Sequence, residues 1–112
     1  MSIGILDYGM GNIKSLGWAF DRLGVSYKSV NSLKSLETFN RLVIPGVGSF
    51  GAAMQNIHSL GLFNGLIDYV NNKDSRVLGI CLGMQILFES SEESPSVEGL
   101  SVLDGQIKKL NS

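Results

Sequence analysis

The chain of 112 residues has one cysteine, one histidine, one tryptophan and two prolines. A lone cysteine cannot close an internal disulfide, so a disulfide scaffold is excluded and a cytoplasmic home is expected. The prolines, Pro45 and Pro95, punctuate; there is no linker, repeat or low-complexity segment. No apolar run approaches the ~20 residues needed to span a bilayer. The start, Met1-Ser2-Ile3-Gly4-Ile5-Leu6-Asp7, lacks a basic region and turns polar at Asp7, unlike a signal peptide. Charge of one sign is missing too. Nine basic and ten acidic residues leave a net charge of −1, which gives no footprint for nucleic acid and no polybasic membrane patch. Neither a cofactor nor a metal site is implied.

Apolar residues and glycine are abundant, at 44% and fourteen residues respectively. That apolar fraction excludes disorder, and the length suits one domain with one core. Strand-like and helix-like runs alternate. Ile3–Leu6, Ser26–Val30, Arg41–Ile44 (stopped by Pro45) and Val77–Ile80 read as strands. Gln106–Leu110 is a candidate fifth. Ile13, Leu16, Phe20 and Leu23 mark one face of a helix starting at Asn12 and ended by Gly24. Phe50, Ala53, Met54 and Ile57 mark a second, and Phe63, Leu66, Ile67 and Val70 a third after Gly61. A fourth helix is expected from Leu82 to Glu89. Strands separated by helices imply right-handed crossovers and a doubly wound, mostly parallel α/β sheet with helices on both faces.

In such sheets the ligand crevice lies beyond the carboxyl ends of the strands. Three glycine-bearing loops fall there: residues 7–12, residues 45–51, and Gly79-Ile80-Cys81-Leu82-Gly83. The last is the most informative. A nucleophile between two glycines, at a strand–turn–helix junction, is an elbow that holds a reactive side chain above the sheet. Glycine is needed on both sides because strand and helix pass too close for side chains. The helix beginning beside Cys81 would aim unpaired N–H groups at the sulfur, a setting that suits a reactive thiol. The competing reading is a small buried apolar cysteine.

Residues 46–51 spell G-x-G-x-x-G, but after the third strand rather than the first. The nearest acidic candidate, Asp68, lies inside an amphipathic helix, so dinucleotide binding is disfavoured. The loop reads better as a backbone segment whose Val47 N–H, with the Leu82 N–H, could face a developing oxyanion. A cysteine nucleophile ordinarily needs a base held by a carboxylate. His58, late in its helix beside the core-facing stripe, reads as a surface or packing residue instead. Asp7 is a site carboxylate or a turn residue, and Glu92 and Glu93 alone read as a solvated acidic pair.

Together, Asp7-Tyr8-Gly9-Met10-Gly11-Asn12, Ile44-Pro45-Gly46-Val47-Gly48, Gly79-Ile80-Cys81-Leu82-Gly83-Met84-Gln85 and Ser91-Glu92-Glu93 resemble the class I, triad-type glutamine amidotransferases. Within them they are most similar to the glutaminase subunits of imidazole glycerol phosphate synthase. The resemblance implies a flavodoxin-like fold, Cys81 as nucleophile, and Val47 and Leu82 as oxyanion donors. It also implies that Gly48, Gln85 and Glu93 hold substrate glutamine, the Glu93 carboxylate facing its α-ammonium. Asn12 would face a partner synthase, a (β/α)8 barrel that receives the ammonia in a heterodimer of histidine biosynthesis. Members are roughly twice as long and complete the triad with a His-x-Glu pair. His58, followed by Ser59 and Leu60, is not that pair. Residues 1–112 are therefore expected to be the N-terminal part of a single amidotransferase domain, inactive alone. Alternatives are an inactive or regulatory module of the same fold, another amidotransferase branch, and an elbow enzyme of the small peptidase and chaperone kind that pairs Cys81 with Asp7.

Overall fold

Four short apolar runs become four parallel strands. The computed structural model describes residues 2–11 and 13–110. Strands β1 (Ser2–Leu6), β2 (Ser26–Val30), β3 (Arg41–Ile44) and β4 (Arg76–Gly79) form a sheet in the order β2-β1-β3-β4. Every pairing in it is parallel. The order reverses after β2. Right-handed crossovers therefore place α1 (Ile13–Leu23) on one face and α2 (Leu33–Leu36), α3 (Phe50–Ser59) and α4 (Phe63–Asn71) on the other. The doubly wound sheet expected from the sequence is present.

Strand alternation divides the apolar residues between the faces. Leu6, Leu42, Ile44 and Val77 join the main core with Leu36, Phe50, Met54, Ile57 and Leu66 from the three helices. The opposite face carries Ile5, Val43 and Leu78 in one cross-strand row. Exposure along that row rises from 0% to 4% to 58%, so cover runs out towards the β4 edge. The α1 stripe is less buried than its spacing predicts. Ile13, Leu16 and Phe20 are half-buried and Leu23 is exposed. What α1 buries is Gly17, where a side chain would collide with the Tyr27 ring. Among the described residues no second helix lies beside α1 on this face. An apolar cavity of about 260 Å³ bounded by Phe20, Val43 and Leu78 is left there. All-parallel sheets are covered on both faces; this one is covered fully on one.

Helix α3 ends where Gly61, at φ 69°, turns the chain and lets the Leu62 N–H reach the Ile57 carbonyl at 3.0 Å. The same device at Gly24 ends α1. Four residues carry no periodicity, so helix α2 leaves no apolar stripe in the sequence; its signal is Ser32, which with Ser35 forms a capping box. The expected fifth strand shortens to β6 (Gln106–Ile107). It pairs with β5 (Ser90–Ser91) in a separate two-stranded sheet rather than extending the main one.

The helix expected from Leu82 to Glu89 is also shorter, as α5 (Leu82–Gln85). Its downstream carbonyls have other partners. The Ile86, Phe88 and Leu87 carbonyls accept from the Leu100, Ser101 and Val102 N–H groups at 2.8, 3.2 and 3.0 Å. Residues 99–103 thus take the place of the next helical turn.

Candidate active site

Cys81 stands between β4 and α5 at φ 54° and ψ −117°. A left-handed φ on a residue with a Cβ costs about 1–3 kcal/mol and persists only where the surroundings enforce it. They do here. The Ile80 N–H extends the β3–β4 ladder to the Ile44 carbonyl at 2.9 Å, and the Gly83 N–H turns back to the Ile80 carbonyl at 2.9 Å. A Cβ on Gly79 would lie 2.7 Å from the Met84 Cα. One on Gly83 would overlap the Ile44 carbonyl oxygen. Both flanking glycines are demanded by close approach, as the sequence suggested, and Cys81 is exposed to solvent.

The picture of free N–H groups aimed at the sulfur needs correcting. The Gly83 N–H is taken by Ile80, and the Met84 and Gln85 N–H groups both donate to the Cys81 carbonyl, at 3.0 and 3.1 Å. The Leu82 N–H donates to the Gly46 carbonyl at 3.3 Å. A helix of four residues adds little macrodipole of its own. The elbow exposes and orients the thiol; it does not surround it with unpaired donors.

The three loops do share one rim. Gly46 packs so tightly that an added Cβ would collide with the Tyr8 hydroxyl and lie 3.1 Å from the Leu82 Cβ and 3.3 Å from the Met10 carbonyl. On Gly11 it would lie 3.2 Å from the Gly46 Cα. The buried Tyr8 hydroxyl donates to the Pro45 carbonyl at 2.5 Å, and the Asn56 side-chain amide donates to the Tyr8 carbonyl at 2.9 Å.

Burial drives the Tyr8 phenol well above its ordinary value of 10.0. Below pH 10 the phenol is neutral in folded and unfolded chain alike, and its stabilising bond is fully present. Above pH 10 the unfolded chain ionises first, so stability falls as pH rises towards the raised folded value. Tyr69, shifted the same way by burial, adds to that fall. Tyr8→Phe is expected to cost about 1–3 kcal/mol at neutral pH, because it orphans the buried Pro45 carbonyl. It should also flatten the loss of stability above pH 10. Urea melts at pH 7 and 10.5 measure both, and an unchanged alkaline slope would contradict the assignment.

Glu93 is part of a structural cap in addition to any ligand role. Its carboxylate accepts from the Phe50 N–H at 2.8 Å, the Ser94 hydroxyl from the Gly51 N–H at 3.2 Å, and the Ser49 hydroxyl from the Ala52 N–H at 3.1 Å. The opening amides of α3 are thereby satisfied, so the G-x-G-x-x-G loop offers no pyrophosphate slot. Glu92 is likewise more than a solvated charge: it accepts from the Lys109 N–H at 3.0 Å. Gln85 and Glu93 line one cavity of about 490 Å³ with the buried Ser91 and with Lys108 and Lys109. Cys81 is outside that lining, one helical turn from Gln85. Ser94 and the Tyr8 clamp escaped sequence reading. The Ser94 hydroxyl leaves no pattern, whereas the Tyr-Gly turn after β1 was visible without its partner Pro45.

Gly48 sits on the rim beside Met10, and Val47 is 67% exposed. Asp7 follows β1 and is exposed, its N–H donating to the Val30 carbonyl at 2.8 Å. His58 lies about 12 Å down the helix axis from Phe50. Its ring stacks on Phe63 at a 4.3 Å centroid distance, a packing role remote from the thiol. Asn12 lies outside the described residues.

The fold matches a crystal structure of a glutamine amidotransferase with a TM-score of 0.81 at 24% identity, covering 95% of this chain and 55% of that one. By sequence, the chain is 44% identical to imidazole glycerol phosphate synthase subunit HisH of Prochlorococcus marinus (strain NATL2A), over 96% of this chain and 51% of that protein. It is 43% identical to the HisH subunit of Synechococcus sp. (strain CC9902), over 100% of this chain and 52% of that protein. Against the chloroplastic imidazole glycerol phosphate synthase hisHF of Arabidopsis thaliana it is 42% identical, over 96% of this chain and 18% of that protein. The chain spans about half the length of the HisH subunits it matches. Residues 10–112 match the model of the SNO glutamine amidotransferase family, and the chain belongs to that family.

Proposed function

We propose that this chain is the nucleophile-bearing part of the glutaminase subunit of imidazole glycerol phosphate synthase. The observation that carries the reading is the Cys81 elbow, strained, exposed and walled by two obligatory glycines. Identity to HisH subunits along nearly the whole chain supports this branch over other amidotransferases.

In this reading the Cys81 sulfur attacks the side-chain carbonyl of glutamine. A C–S bond forms, and the thiol proton passes to a base. The tetrahedral intermediate then collapses with loss of the C–N bond, and the base returns the proton to departing ammonia. Water cleaves the thioester to glutamate and frees the thiol. Gln85 and Glu93 hold the amino-acid end of glutamine, the second Glu93 oxygen facing the α-ammonium while the first keeps capping α3. Gly48 lines the approach.

The Leu82 N–H becomes an oxyanion donor when the Gly46–Val47 peptide turns. That turn removes the Gly46 carbonyl from Leu82 and presents the Val47 N–H to the same oxygen. Residues 1–112 form the N-terminal part of one amidotransferase domain. The base and its carboxylate come from the His-x-Glu pair in the remaining half, which packs on the uncovered sheet face at Leu78. By its match to the family motif, Asn12 faces a cytoplasmic (β/α)8 barrel synthase. There ammonia joins a phosphoribulosyl-formimino aminoimidazole carboxamide ribonucleotide, which is split into imidazole glycerol phosphate and an aminoimidazole carboxamide ribonucleotide. No cofactor takes part.

Alone, the chain is expected to hydrolyse glutamine at a negligible rate. Supplying the second half of a HisH relative, fused or as a separate chain, together with the barrel should restore glutamine-dependent synthesis. Turnover by the isolated chain that Cys81→Ala abolishes would contradict the assigned base. Hydrolysis restored without any binding to the barrel would move the chain to another branch.

A further inference from the structure

The mechanism above leaves Tyr8 unused, although its buried hydroxyl makes one of the shortest hydrogen bonds in the molecule. We infer that Tyr8 is a positioning residue that clamps residues 45–48 in their resting orientation, with the Gly46 carbonyl closed over the Leu82 N–H. The inference rests on the proposed oxyanion role of that N–H.

The hydroxyl donates to the Pro45 carbonyl and fills the space where a Gly46 side chain would stand. Behind it, Tyr8 is itself fixed, because the Asn56 amide on α3 holds its carbonyl at 2.9 Å. The rest of the same loop bears on the same segment: Gly11 is packed on the Gly46 Cα, and the Met10 methyl on Gly48. Residues 45–48 are thus seated from one side by residues 8–11 and closed on the other by the 3.3 Å bond from Leu82 to Gly46. That last bond is long, although Gly46 and Leu82 are both buried. The Tyr8 bond is far shorter, so it is the one that fixes where Gly46 sits. A movement of the loop after β1 would pass through Tyr8 to the orientation of the Gly46–Val47 peptide, with no residue touching substrate.

Amide hydrogen exchange on the chain itself tests this without any appeal to catalysis. In Tyr8→Phe, Leu82 exchange should accelerate about tenfold beyond any change in the sheet amides of Ile5 and Val43, which report global unfolding. Equal changes at all three would overturn the clamp. Should Tyr8→Phe fail to melt cooperatively, Asn56→Ala loosens the same clamp from its other end and must give the same selective effect.

In the completed glutaminase without its barrel, Tyr8→Phe should raise kcat severalfold with KM for glutamine within about twofold, because the closed orientation is what is being released. A fall in kcat with selective Leu82 exchange absent would overturn the inference. Selective exchange in a protein with no glutaminase activity would sustain the clamp and instead count against the glutaminase reading.

Discussion

Under the proposed function, Cys81→Ser in the completed protein, assayed with the barrel synthase, is expected to lower glutamine-dependent synthesis by about 10⁴-fold or more, the scale seen when a covalent nucleophile is removed. Ammonia-dependent synthesis by the same complex should stay within about twofold, because on that reading only ammonia release needs the thiol. The size of the first effect follows from mechanism rather than stability. Serine is nearly isosteric and sits at the same exposed position, so the strained elbow survives the change. A comparable loss in both assays would mean that the substitution disturbed the fold or the docking rim instead of the chemistry.

Gly83→Ala is expected to be the most damaging small substitution in the chain. Its Cβ would fall inside the Ile44 carbonyl, 2.5 Å from the Ile44 carbonyl carbon and 3.0 Å from the Pro45 oxygen. Those atoms belong to β3 and to the first residue of the loop after it, so neither can give way without breaking the ladder to β4. The cost should exceed about 4 kcal/mol, a large part of the 5–15 kcal/mol that holds a domain together. Gly24→Ala is the control. At φ 70° with nothing within 4 Å, it has strain but no collision, and should cost about 1–2 kcal/mol. Urea denaturation of both variants separates the terms. A loss at Gly83 no larger than that at Gly24 would contradict the close approach of α5 to β3.

The elbow was legible in the sequence because its physics is local. Two glycines two residues from a cysteine, after an apolar strand, already specify a tight strand–turn–helix, and the φ of 54° follows. The four strands were equally plain from apolar runs with glycine and proline stops. What escaped depends on partners far along the chain. The helix after Cys81 stops early because the N–H groups of Leu100, Ser101 and Val102 claim its carbonyls, and nothing within residues 82–89 announces that. The Glu93 carboxylate reaches the start of α3, 43 residues away, so a glutamate that read as solvated or ligand-binding turns out to cap a helix too. The amphipathic stripe of α1 was read correctly in type but not in depth. Its cover depends on a neighbour, and along the β4 side Leu78 stays open.

Trapping the acyl-enzyme tests the role of Cys81 most directly. The completed glutaminase, with the barrel bound, is mixed with glutamine, quenched in acid within one turnover and digested, and the Cys81 peptide is weighed by mass spectrometry. A glutamyl adduct on Cys81, labile to hydroxylamine and absent in Cys81→Ser, is expected. Ammonia released at a normal rate with no adduct on Cys81, or an adduct on another residue, would contradict that role.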